Sequence, residues 1–179
     1  MEKLVITGRP GVGKSTLFNA VISTLRENGF KVGGMIAPEV RDKGVRIGFK
    51  VVDLLTGEET WLAQKGYPSA ARVGQYGVII GEADALVKKA LLRAIEQADV
   101  IGVDEVGPME LKLPSFKPLL LKVLNTGKPT ILVVHFNLND KEILSRLEGW
   151  RKIVLTFENR EYYKKLLPRE VLESIKSAL

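Results

Sequence analysis

Cysteine is absent from this 179-residue chain, and histidine occurs once, at His135. The first absence excludes disulfides, thiolate metal sites and cysteine nucleophiles, and the second leaves no histidine-built metal cluster. No apolar run approaches the roughly 18 residues that a membrane helix requires. The N-terminus passes from Lys3 into an apolar run too short for a signal peptide, so the expected location is cytoplasmic, with no membrane association. Repeats, low-complexity tracts and linkers are missing too. What is present is a soluble globular balance, 45% hydrophobic and 27% charged residues. The length suits one domain, 1–179, able to bury about 70% of the surface its unfolded chain exposes. A monomer is the expected state. The net charge of +6 permits nucleic-acid binding. It equally suits a protein that handles polyanionic nucleotides. The basic residues form no block, so nucleic acid is not the favoured partner.

Residues 8–15, Gly8-Arg9-Pro10-Gly11-Val12-Gly13-Lys14-Ser15, fit the pattern Gly-x-x-x-x-Gly-Lys-Ser/Thr without mismatch. Leu4, Val5 and Ile6 precede it as a buried strand. Leu17, Ala20, Val21 and Leu25 follow at helical spacing, with Gly29 at the C-terminal cap. Strand, glycine loop and helix are what phosphate binding needs. Glycines let successive N–H groups turn inward, and the helix start adds its positive dipole end. Lys14 is placed to reach the β- and γ-phosphates, and the Ser15 hydroxyl to ligate Mg2+. The blander reading is a glycine turn that only caps a helix.

Further along, residues 31–38 read as a second strand. Val45, Ile47, Phe49 and Val51 alternate with polar residues or glycine, and residues 60–63 return, so about 35–64 reads as an antiparallel meander. Residues 65–77 read as an irregular loop, the one candidate lid. Residues 83–95 carry a helical apolar stripe. Val100-Ile101-Gly102-Val103 is a buried strand ending at Asp104-Glu105, and a loop over 106–114 follows. Ser115 is expected to cap the next helix. Residues 130–134 form a strand leading to His135, Asn139 or Asp140 caps a short helix, and 153–157 form the last strand. Helices are expected over 161–167 and 169–178, separated by Pro168. The fold class is α/β, a mainly parallel sheet with helices on both faces.

Ligands in such sheets sit at the carboxyl ends of strands, where both the glycine loop and Asp104-Glu105 lie. Asp104 is placed to hold Mg2+ opposite Ser15. Glu105, at a strand end where the chain begins to turn, reaches a water in line with the γ-phosphate and activates it. The alternative for the pair is two solvated carboxylates. A glutamate in this place usually accompanies an extra strand between the loop strand and the aspartate strand. The expected core order is therefore 152–157, 3–7, 130–135, 100–104, 32–37 (5-1-4-3-2). His135 then stands between the two groups, either sensing the γ-phosphate or as an ordinary strand-end residue. Arg9, Arg41, Arg72 and Arg160 are candidates for stabilising transition-state charge. Asn159 and Arg160 follow the last strand, where the base or ribose is contacted, and Phe157 or Tyr162 either stacks on a base or packs.

Residues 8–16 (Gly8 to Ser15 and Thr16), Glu39-Val40-Arg41, Gly48-Phe49, Asp104-Glu105-Val106-Gly107-x-Met109-Glu110-Leu111 and Glu158-Asn159-Arg160 resemble the small thermophilic P-loop nucleoside-triphosphatases, related to the cancer-related nucleoside-triphosphatase of animals. The resemblance spans nearly the whole chain. It implies a Mg2+-dependent phosphohydrolase acting on ATP, GTP, CTP and UTP with loose base preference. It maps the nucleotide-binding stretches to Gly8–Ser15 and Val100–Gly107, and so places Val106 and Gly107 at the nucleotide. Two other functions share such a site. One is a nucleotide or small-molecule kinase, though the candidate lid carries only Arg72. The other is a slow nucleotide switch acting on a protein or RNA partner.

Overall fold

The computed structural model describes residues 2–179. Strand β1 (Lys3–Gly8) is buried from Leu4 onward. Leu4 and Ile6 enter one apolar core and Val5 the other, as a central parallel strand covered on both faces requires. The glycine loop then leads into α1 (Lys14–Glu27). That helix ends as expected, with Gly29 at φ 88 and the Phe30 N–H donating to the Leu25 carbonyl at 3.1 Å. Strand β2 (Val32–Ile36) is followed by β3 (Glu39–Asp42), β4 (Val45–Asp53), β5 (Glu59–Lys65), β6 (Arg72–Val73) and β7 (Tyr76–Val78). Then come α2 (Ile80–Gln97), β8 (Val100–Val106), α3 (Phe116–Leu124), β9 (Thr130–Val134), α4 (Lys141–Arg146), β10 (Arg151–Leu155) and α5 (Arg160–Ser177).

All ten strands join one sheet in the order β10-β1-β9-β8-β2-β4-β5-β7-β6, with β3 paired to β4 off that path. The first five are parallel and stand in the order expected from the sequence. The antiparallel continuation starts where β2 pairs β4. One face of the sheet is sealed by α1 and α5, whose Leu17, Phe18, Val21 and Leu25 share a core with Leu167, Val171 and Ile175. The other is sealed by α2 and α3 through residues such as Ala83, Leu86, Ala90, Phe116 and Leu120. Phe18 is fully buried, and a β-carbon on Gly102 would come 2.8 Å from its ring. A glycine in β8 thus lets the ring lie on the strand, a burial worth roughly 1.5–3 kcal/mol.

Four expectations are corrected. The antiparallel insertion runs on to Val78, because residues expected as loop form the β6–β7 hairpin around Gly74. Tyr76 is only 6% exposed, packed edge-on to Phe49. Pro168 does not separate a pair of helices but lies inside α5. Its missing N–H and ring clash cost about 3 kcal/mol. The stripe Leu167, Val171, Leu172 and Ile175 spans the proline and buries against α1 only if the helix is continuous. Strand β8 does not stop at Asp104 but continues to Val106. Ser115 does not cap α3 with its own hydroxyl. It stands at the N-cap position as expected, but its hydroxyl and N–H both donate to Asp84 of α2, each at 2.8 Å. Asp140, of the two candidates, caps α4, accepting from the Ile143 N–H at 3.0 Å.

Candidate active site

The glycine loop is shaped by its backbone. Gly11 and Gly13 sit at φ 84 and 103, which other residues adopt only with strain. Gly13 occupies the N-cap of α1, and no side chain bonds the first N–H groups of that helix. Those groups and the dipole end therefore face the loop interior, ready for an anion. Gly8 answers a different need, since a β-carbon there would sit 2.5 Å from the Leu155 carbonyl oxygen of β10. The Lys14 ammonium folds back over the loop and donates to the Gly8 carbonyl at 2.6 Å and the Arg9 carbonyl at 3.2 Å. Burial lowers its pKa, with Glu105 and Asp104 acting in the opposite sense.

Adjacent residues of a strand point to opposite faces, so Asp104 and Glu105 should not share a pocket. They do so where the register of β8 shifts. Asp104 pairs with Val133 and Val106 with Val134, which leaves Glu105 without a partner on β9. Both carboxylates thereby line one cleft of about 590 Å³ together with Gly11, Gly13, Lys14, Ser15 and Thr16. Asp104 is 8% exposed. Burial pushes its pKa up to about 6, with the nearby Ser15 hydroxyl drawing it down, Glu105 adding to the rise and Lys14 opposing it. Burial also raises Glu105, against the pull of Lys14.

His135 stands in the wall between this cleft and a larger groove of about 810 Å³. Its Nδ1 accepts the Asn137 N–H at 3.2 Å, which places the proton of the neutral ring on Nε2. Burial and then Lys14 lower its pKa, favouring that neutral form.

Other expected site residues lie elsewhere. Arg9 lines the larger groove, and Val12 is buried beneath the loop. Pro10 lines neither cavity. Val106 is fully buried in the core, and Gly107 turns the chain behind the cleft. The Asn159 side chain is spent on its own turn, accepting from the Thr156 N–H and donating to the Val154 carbonyl. Arg160 lies over the Phe157 ring at 5.0 Å and lines a small recess with Val12, Gly13, Thr16 and Lys164. None of the four candidate arginines lines the cleft. Arg41 is held by the Glu39 carboxylate at 2.7 Å and the Gly44 carbonyl, and Arg72 by the Tyr67 and Gln75 carbonyls.

Ala37, Pro38, Glu39, Phe49, Val73, Pro108, Met109 and Glu110, none of them given a role from the sequence, also line the cleft. Glu39, Phe49, Met109 and Glu110 fall within the segments that carried the family resemblance, so a signal existed without a role attached. The donor chemistry at Ser15 and Asp104, a hydroxyl facing a carboxylate, fits Mg2+, a hard cation held by few protein oxygens beside substrate phosphates. Among the described residues no group of three or more His, Asp or Glu could cage an ion unaided.

Comparison with known proteins places the chain in a family and matches its fold. A family model described as NTPase matches residues 3–172. Nucleoside-triphosphatase THEP1 of Saccharolobus solfataricus is 40% identical over 173 residues, covering 97% of this chain and 94% of that protein. Its counterpart in Thermofilum pendens is 42% identical over 177 residues, 95% of each chain. The crystal structure of THEP1 from the hyperthermophile Aquifex aeolicus superposes with a TM-score of 0.80 at 28% identity, covering 97% of this chain and 98% of that one. The solution structure of a human cancer-related nucleoside triphosphatase gives 0.79 at 28% identity over all of both chains.

Proposed function

The chain belongs to the NTPase family, and from that premise we propose that it hydrolyses nucleoside 5′-triphosphates to the diphosphate and phosphate in the cleft between the glycine loop and Asp104-Glu105. The observation that carries this reading is the bulge in β8, which turns two adjacent carboxylates toward the same lysine-bearing loop.

In this mechanism the loop N–H groups and the start of α1 cradle the β-phosphate. Lys14 exchanges the Gly8 and Arg9 carbonyls for phosphate oxygens, which restores a full charge partner to a partly buried ammonium. Ser15 and Asp104 would hold Mg2+, which would supply charge neutralisation to the triphosphate. Glu105 accepts a hydrogen bond from a water and turns its lone pair toward the γ-phosphorus; the water's proton passes to Glu105 as the new O–P bond forms and the bond from the γ-phosphorus to the bridging oxygen breaks, releasing the diphosphate. The Nε2–H of His135 donates toward the γ-phosphate from the far wall. Each of these groups reads phosphate rather than base, so ATP, GTP, CTP and UTP are all expected substrates. Among the described residues no helix is long and apolar enough to cross a membrane.

Phosphate release from these four nucleotides, with and without Mg2+, tests the reading in wild type, Lys14→Ala and Glu105→Gln. Glu105→Gln is expected to bind nucleotide as wild type does and to lose roughly 100-fold or more in turnover. Wild-type turnover in that variant would remove Glu105 from the chemistry.

A further inference from the structure

Glu110 is a buried cleft carboxyl whose chemistry the mechanism above leaves unused. It is 4% exposed, and among the described residues it forms no ion pair. A carboxyl held in that state is costly unless it is hydrogen-bonded or neutral. Its backbone is fixed by a single 3-10 turn, Glu110–Lys112, closed by Leu111 N–H to Gly107 at 3.0 Å, Lys112 N–H to Met109 at 3.1 Å and Leu113 N–H to Glu110 at 3.0 Å. Leu113 and Phe116, both buried, anchor that turn in the core.

The side chain comes back over Gly107. A β-carbon built on Gly107 would sit 2.8 Å from Glu105 Oε1 and 3.1 Å from Glu110 Oε1. The two carboxyls therefore flank the bare face of one glycine. Glu105 hangs on an unpaired bulge residue, with no β9 neighbour to fix its direction. Lys14 attracts its carboxylate from the glycine loop, and Glu110 is the carboxyl that faces it across Gly107.

We infer that Glu110 is a positioning residue, whose carboxyl on the anchored turn holds Glu105 across Gly107 in the direction that orients the water. This rests on the proposed role of Glu105. Burial and the neighbouring Glu105 push the Glu110 pKa well above the ordinary carboxylate range, with backbone N–H groups of Glu110 and Gly107 opposing. A neutral carboxyl has an O–H to donate, so a neutral amide can replace it and a methyl group cannot.

The test uses the full chain with MgATP, measuring kcat, affinity for a non-hydrolysable triphosphate, and Tm. Glu110→Ala is expected to lose tenfold or more in kcat with affinity unchanged within twofold, and Glu110→Gln to stay within threefold of wild type. In a Glu105→Gln background, Glu110→Ala is expected to change the residual turnover less than threefold. Should Glu110→Ala not fold, Gly107→Ala, whose methyl displaces both carboxyls, is expected to give the same loss of kcat at unchanged affinity. The inference is overturned by wild-type kcat in Glu110→Ala or Gly107→Ala, by a Glu110→Gln as impaired as Glu110→Ala, by affinity falling in parallel with kcat, or by losses that multiply in the double variant. Full turnover in Glu105→Gln alone would sink the underlying role of Glu105, and it is read with Glu110 intact.

Discussion

Replacing Asp104 by asparagine should make the nucleotide-free chain more stable while abolishing its activity. The Asp104 carboxyl moves from 3.8 in an unfolded chain to about 6 in the folded one, chiefly through burial. Its folded state therefore holds a proton that the unfolded state has released, across the interval between those values, and stability falls as pH rises through it. Integrated, the burden is about 0.5 kcal/mol at pH 4 and about 3 kcal/mol at pH 8. An amide removes the charge but keeps part of the desolvation cost, so the expected gain at pH 8 is about 1–2 kcal/mol. For a chain of this length that is roughly 3–6 °C in Tm. Glu105 and Glu110 carry shifts of the same sign, and the Asp104 charge adds to the rise of Glu110, so its removal eases Glu110 as well and works in the same direction at pH 8. The assay is denaturant and thermal unfolding of wild type and Asp104→Asn at pH 4 and pH 8 without nucleotide. The two proteins should nearly coincide at pH 4 and separate at pH 8, the variant being the more stable. A gap of the same size at both pH values, or a variant less stable at pH 8, would refute burial of this charge as the source of the strain.

Lys14→Ala should weaken triphosphate binding roughly 10- to 100-fold, the worth of a charge-assisted phosphate contact, measured by calorimetry with Mg2+ present. An unchanged affinity would show that the ammonium stays on its own loop carbonyls. His135→Ala should lower kcat about tenfold or more through loss of one donor to the γ-phosphate, with His135→Gln recovering most of it; equal rates in all three proteins would leave His135 a wall residue only. Asp53 is fully buried, pairs with Arg93 at 2.9 Å and accepts the Leu55 N–H at 2.8 Å. Asp53→Ala should cost about 3 kcal/mol in urea unfolding, and a cost under about 1 kcal/mol would show that Arg93 finds water instead.

The parallel core was legible because its strands are continuous apolar runs and its loop is a motif with the right flanks. The β6–β7 hairpin was not, because two and three residues are too few to show a period of two. Pro168 misled for a related reason: the local rule for proline is strong, and the stripe that overrides it becomes visible only when α1 is packed against it. At the site, Asp104 and Glu105 were found together as expected, but the device differs. The chain does not turn away at Glu105; it bulges and pairs again at Val106, which hydrogen-bonding register alone reveals. Glu110 was hidden most completely, since nothing in its spacing announces a carboxyl folded inward on a single turn.

The charge balance of the cleft limits how fast this chain can act alone. Glu39, Asp104 and Glu105 line it against one ammonium, beside a Glu110 carboxyl pushed toward its neutral form, and His135 is held toward its neutral form too. A bare triphosphate would meet net repulsion there, so in the proposed mechanism binding depends on the cation that Ser15 and Asp104 are disposed to hold. Transition-state charge then falls on Lys14, the loop N–H groups, His135 and that cation. An arginine in contact with the transferring phosphoryl group is worth about 10³ to 10⁵ in rate where phosphohydrolases have one. Here Arg41 is paired at 2.7 Å with Glu39, which lines the cleft. Delivering Arg41 to the γ-phosphate would break that pair and leave Glu39 facing a polyanion. The resting geometry therefore corresponds to slow hydrolysis, and Glu39→Gln, which frees the guanidinium and removes one repelling charge, is expected to raise turnover. Steady-state phosphate release decides it: a rate at or below wild type would show that Arg41 does not reach the phosphate even when released.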